Sequence, residues 1–91
     1  MNLRWDQILT LLHILSSSTS KDVEVIQRWY EAKSLNFREA FDLLHDIEII
    51  ITNNGQVELT NSIKINTSNE ELRDLFIKSL FKNRKALNKH L

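Results

Sequence analysis

The chain has 91 residues, no formal net charge, 42% apolar and 26% charged residues, one Gly and no Cys, values that describe a single small globular domain with a limited core. The lack of cysteine excludes disulfides, thiolate metal ligands and cysteine nucleophiles. With one glycine no phosphate-cradling loop can form, no GxxxxGK[ST], GxGxxG, HExxH or GxSxG pattern occurs, and no run approaches the roughly 20 apolar residues of a bilayer span.

Residues 3–15 place Trp5, Ile8, Leu11, Leu12 and Leu15 on one stripe at helical spacing, with Leu9 and Ile14 widening it, which predicts a core helix. His13 stands at the edge of that stripe, where a packed, hydrogen-bonded histidine is the usual occupant. Residues 16–22 read as a loop that delivers a second helix from about Lys21, with Thr19 and Asp22 at capping-box spacing. On that helix Val23, Ile26, Trp29 and Tyr30 form the predicted buried face, and Lys21, Glu24, Arg28 and Glu31 the outer one. The helix is expected to end near Lys33 and Ser34. Asn36 then opens a third helix, with its side chain as cap, Glu39 reaching back and Leu35 as hydrophobic staple. Two helices joined by so short a connection form a helix-turn-helix.

Phe37, Ala40, Phe41 and Leu44 recur at i, i+3, i+4, i+7 and give the third helix its buried face. Residues 47–52 switch to an aliphatic, β-branched run. Asn54-Gly55 is the dipeptide that accepts positive φ at both central positions of a type I′ turn, and Val57 and Leu59 alternate with Gln56 and Glu58 beyond it. A hairpin is therefore predicted directly after the third helix. In residues 61–67, Ile63 and Ile65 alternate with polar residues, as in a short strand or a packed loop.

From Ser68, with Glu71 as capping-box partner and Glu70 and Asp74 in the first turns, a long fourth helix is expected to run on to Leu91. Projected at about 100° per residue, Leu72, Leu75, Phe76, Leu80, Leu87 and Leu91 share one stripe, while Lys78, Lys82, Lys85 and Lys89 form a basic ridge. Ile77 and Phe81 fall off the stripe, and Phe81 sits almost opposite Leu72, beside the lysines. Residues 1–67 hold six Lys and Arg against nine Asp and Glu, and residues 68–91 hold six against three, so the two parts carry −3 and +3. The expected organisation is a core unit over 1–67 and a basic amphipathic helix over 68–91, packed on it or extending from it. No stop signal follows Leu91, as expected of the amino-terminal module of a longer protein.

Three helices followed by Leu43 and Leu44, the aliphatic run 47–51, the polar turn 53–55 and the return strand 57–60 resemble a winged helix-turn-helix domain over roughly residues 3–60. The resemblance implies a mainly α fold with a small β-hairpin, here with a long C-terminal helix. The superfamily holds both DNA binders and protein-interaction modules, so the fold alone leaves the role open.

Carried over to double-stranded DNA, the resemblance puts the third helix in the major groove. Arg38 would then bind guanine, Asn36 adenine or phosphate, and His45 would lie on the outer face. Asn53, Asn54 and Gln56 would form the wing, and Lys21, Lys33, Lys78, Lys82, Lys85 and Lys89 would meet phosphates. The sequence departs from the DNA-binding pattern in Glu39, Asp42 and Asp46, which oppose a phosphate backbone, and in a wing without Arg or Lys. The alternative partner is a protein, or a second copy of the chain, met through Leu75, Ile77, Phe81 and Leu87. Neither reading needs catalysis, a cofactor, a metal, a membrane or a small-molecule substrate, and a soluble, cytoplasmic protein is expected.

Overall fold

Helix α1 (Trp5–Ser17) begins where the side-chain oxygen of Gln7 accepts the backbone N–H of Arg4 at 2.9 Å, satisfying one of the amides that a helix start leaves open. The computed structural model describes residues 3–17, 20–34, 36–60 and 68–88, without the side chains of residues 86 and 87. Over that span the chain is mainly helical with a two-stranded antiparallel sheet. After α1 come α2 (Val23–Glu31), α3 (Phe37–Asp46), β1 (Ile50–Asn53), β2 (Gln56–Leu59), α4 (Asn69–Lys82) and α5 (Arg84–Leu87).

Helix α1 is central, touching α2, α3, α4 and β2. Leu11, Leu12, Ile26, Tyr30, Ala40 and Leu44 meet there, none more than 1% exposed. Ile49, Ile50 and Val57 close one side of this core, and Leu72 and Phe76 of α4 close another. The aromatic rings are coupled: the centroids of Trp5 and Phe76 lie 5.3 Å apart, those of Tyr30 and Phe37 5.7 Å, and those of Phe37 and Phe41 5.2 Å.

Several local expectations change. Helix α2 starts at Val23 rather than near Lys21, because Asp22 itself takes the N-cap position, with extended backbone and its carboxylate accepting the N–H of Glu24 at 2.9 Å. Thr19, its predicted partner, lies outside the described residues. Asn36 occupies the N-cap position of α3 but makes no side-chain cap bond. Its backbone is left-handed, with φ 66° and ψ 39°, whereas a capping side chain is presented from extended backbone. Trp29, predicted in the core, is 42% exposed, while Tyr30 beside it is sealed off.

The β1 strand is shorter than the aliphatic run because residues 47–49 are used to end α3. The N–H of Ile49 reaches the carbonyl of Leu44 at 2.9 Å, the N–H of Glu48 reaches that of His45 at 3.1 Å, and Glu48 is left-handed with φ 66°. That is a Schellman ending, with a glutamate where glycine is usual and with Ile49 and Leu44 as its buried apolar pair. The hairpin then forms as the sequence predicts. Asn53 pairs with Gln56, Ile51 with Glu58 and Ile50 with Leu59, and both turn residues have positive φ, 53° at Asn54 and 77° at Gly55. Val57 points inward and Gln56 and Glu58 outward.

A further backbone segment holds this hairpin against the helices. The N–H of Val57 donates to the carbonyl of Lys21 at 2.8 Å and the N–H of Val23 to that of Gly55 at 3.0 Å, around an antiparallel bridge between Asp22 and Gln56. At the far end of β2, the Thr60 hydroxyl donates to the carbonyl of Ile49 at 3.0 Å and also to that of Glu48.

Helix α4 starts as expected, the Ser68 hydroxyl accepting the N–H of Glu71 at 3.2 Å. It does not continue to Leu91. At Asn83 the backbone leaves helical geometry, with φ −120° and ψ 45°, and a separate short α5 follows. The Asn83 side-chain amide donates to the carbonyls of Ile47 and Ser79, both at 2.9 Å. At the other end of α4, Nε2 of His13 lies 2.6 Å from the side-chain oxygen of Asn69, within hydrogen-bond distance. The segment 61–67, with Ile63 and Ile65, lies outside the described residues, as do Lys89 and Leu91.

Candidate functional site

The residues that the resemblance assigns to DNA contact do not form one positive surface. On α3 the buried stripe turns Arg38, Glu39 and His45 outward and leaves Asp42 and Asp46 half-buried. The Arg38 guanidinium stands 3.8 Å from the Asp42 carboxylate one turn on, and Nδ1 of His45 is 3.9 Å from the carboxylate of Asp46. One arginine among three carboxylates leaves this face without the excess of positive charge that phosphate contact requires. Asn36 is exposed at the head of the same helix.

Asn53, Asn54 and Gln56 are exposed on the outer face of the hairpin. With Ile51 and Glu58 they border a shallow groove of about 450 Å³. The nearby cation is committed elsewhere: the Lys21 ammonium lies 3.1 Å from the Glu58 carboxylate, pairing the segment before α2 with the hairpin's own acid. Lys33 is exposed just past the end of α2.

The remaining cations belong to α4 and α5. Lys78 and Lys82 are exposed on α4 and Lys85 on α5, but the helical phase that would align Lys85 with the other two is interrupted at Asn83. The ridge therefore ends at Lys82, which borders a cleft with Ile47, Glu48, Ile51, Thr60 and Ser79. Lys89 lies outside the described residues.

The apolar expectation on α4 is sharper. Leu72 and Phe76 are buried, Leu75 and Leu80 are half-buried, and the two residues off the stripe are open to solvent, Ile77 36% and Phe81 66% exposed. Ile77, Leu80 and Phe81 line a groove of about 470 Å³ that Arg84 and Asn88 of the chain after the break complete. The Arg84 guanidinium carbon sits 5.5 Å from the centroid of the Phe81 ring, within cation–π range. The Leu87 side chain lies outside the described residues.

Arg84 was not legible as a groove residue, because a continuous helix would set it without regard to the break at Asn83. The exposed Trp29 and Ile51 are two further surface residues that pattern reading assigned to the core and to a strand without distinguishing its faces. Among the described residues no group of three or more His, Asp or Glu is placed to hold a metal ion, and no helix is long and apolar enough to cross a membrane. The chain matches no protein-family model, no curated protein and no solved structure.

Proposed function

We propose that the chain is a non-enzymatic winged-helix module that works by protein contact, with the outer face of α4 and α5 as its contacting surface. The winged-helix reading is supported by the bridge between Asp22 and Gln56, which fastens the hairpin after α3 to the start of α2. The observation that carries the contact reading is Phe81. Of the chain's four phenylalanines, Phe37, Phe41 and Phe76 are at most 7% exposed, and Phe81 is 66% exposed beside a partly open isoleucine. Leaving such a side chain in water forgoes roughly 1.5–3 kcal/mol of burial, which docking a partner would recover.

The test compares the chain with Phe81→Asp for folding, mass in solution and affinity for random duplex DNA across a salt series. Protein contact predicts a folded variant and no salt-steep DNA affinity in either protein. Tight binding that collapses as salt rises and is untouched by Phe81→Asp would overturn the reading.

The outward placement of Arg38 on α3, together with a hairpin anchored to the start of α2, supports duplex DNA as the second reading. Under it, Arg38→Ala weakens sequence preference, and Lys78→Ala with Lys82→Ala lowers affinity for all sequences and flattens the salt slope. Equal effects of the two changes would count against that division of roles.

A further inference from the structure

We infer that the groove between α4 and α5 takes an acidic amphipathic helix of a partner polypeptide. One apolar side chain of that helix enters between Ile77, Leu80 and Phe81, and a carboxylate about one turn away meets Arg84. The inference rests on the reading of this face as a protein-contact surface, and adds the chemistry of what it contacts.

Three observations converge on it. The groove, about 470 Å³, is walled by Ile77, Leu80 and Phe81, which suits a single aliphatic or aromatic anchor in the helix-in-groove mode of recognition. Among the described residues its one charged lining group is the cation Arg84. Residues 75–88 contain Lys78, Lys82 and Lys85 besides it and no Asp or Glu, the preceding acid on α4 being Asp74, about one turn before Ile77. Finally, Arg84 is held against the Phe81 ring at 5.5 Å. A guanidinium stacked on an aromatic face keeps its N–H fork available for two parallel bonds to a carboxylate.

On a helix, residues three or four apart share a face, so a single partner helix can present the anchor and the carboxylate together. Duplex DNA offers the negative charge without the apolar anchor. A second copy of this chain is disfavoured too, since its acidic α3 face carries none of the exposed large apolar residues, which among the described residues are Trp29, Ile51, Ile77 and Phe81.

The probe is a synthetic amphipathic helical peptide of about four turns, with leucine anchors and glutamates one turn from them. It is titrated against the whole chain beside a control that has lysine for every glutamate. The glutamate peptide is expected to bind about tenfold or more tightly than the lysine peptide, and less tightly as salt rises. Phe81→Ala and Arg84→Glu should each weaken it about tenfold or more, and Arg84→Lys less, with the helical circular dichroism of every variant unchanged. Equal binding of both peptides would overturn the acidic chemistry while leaving the contact face in place. Binding of neither, from a dimer that Phe81→Asp dissociates, would overturn the acidic helix in favour of a second copy. Binding of neither from a monomer would overturn the contact face as well.

Discussion

The side-chain amide of Asn83 donates to the backbone carbonyl of Ile47 at 2.9 Å, tying the end of α4 to the turn that closes α3. The same amide reaches Ser79 at 2.9 Å, so both its hydrogens are used on half-buried carbonyls. Asn83→Ala should lower unfolding stability by about 1–2 kcal/mol, the usual cost of taking the donor from a partly buried acceptor, here the Ile47 carbonyl, since the Ser79 carbonyl keeps the backbone N–H of residue 83 at 3.1 Å. Asn83→Asp should cost more at neutral pH, since it sets a carboxylate against two carbonyl oxygens. Urea unfolding of the three proteins gives the order, and a neutral Asn83→Ala would show the junction to be held by packing alone.

The backbone makes opposite demands at two positions with positive φ. Glu48 carries φ 66° in a place where glycine is at ease, and Glu48→Gly should raise stability by about 0.5–1 kcal/mol. Gly55 has φ 77° and no atom within 4 Å of where a Cβ would stand. Gly55→Ala therefore meets backbone strain without a clash and should cost about 1–2 kcal/mol. Thermal melts of both variants check the signs, and a shift in the same direction for the pair would contradict the account.

Phe76 and Phe81 are one and a half turns apart on α4 and differ in what they support. Phe76 is 7% exposed and packs on Trp5, whereas Phe81 is 66% exposed. Phe76→Ala should cost about 3–5 kcal/mol, and Phe76→Leu below about 1.5. Phe81→Ala should stay within about 0.5. If Phe81→Ala destabilises as strongly as Phe76→Ala, the groove is part of the core and its partner is already present in the chain.

Tyr30 supplies a pH dependence. Burial pushes its phenol above the ordinary value of 10.0; a hydrogen bond with Ser34 acts against this, and the charges of Asp6 and Glu39 reinforce it. The fold thus favours the protonated phenol. Its contribution to stability is complete below the unfolded-chain value near 10 and declines as pH rises from there towards the higher folded value. Tyr30→Phe should lose about 1 kcal/mol at neutral pH with the Ser34 bond and lack the alkaline decline that the parent shows. Because the chain has one tyrosine, ultraviolet titration reads the group directly. A phenol that ionises at or below the ordinary value would refute the burial argument.

Much of the core was legible because periodicity and turn chemistry are local. Phe37, Ala40, Phe41 and Leu44 are all buried, and Asn54 and Gly55 turn as their dihedral preferences require. What escaped depends on contacts between distant residues. Trp29 lies roughly 80° from the centre of the buried arc of α2, set by Ile26 and Tyr30, and only the packing of neighbouring helices decides that Tyr30 enters and Trp29 stays out. The break at Asn83 comes from a bond to Ile47, which no window of the C-terminal sequence contains. The groove inherits that difficulty. Ile77 and Phe81 could be read as lying off the stripe, but Arg84 joins them through the geometry of the break.

The bonds at the two ends of α4 have a kinetic consequence. With Asn69 held by His13 and Asn83 by Ile47, the helix is fixed before any encounter, so a ligand of its outer face meets a preorganised surface and bears little ordering entropy on this side. Differences in affinity among ligands of that surface should then appear mainly as differences in residence time, with association rates nearly constant.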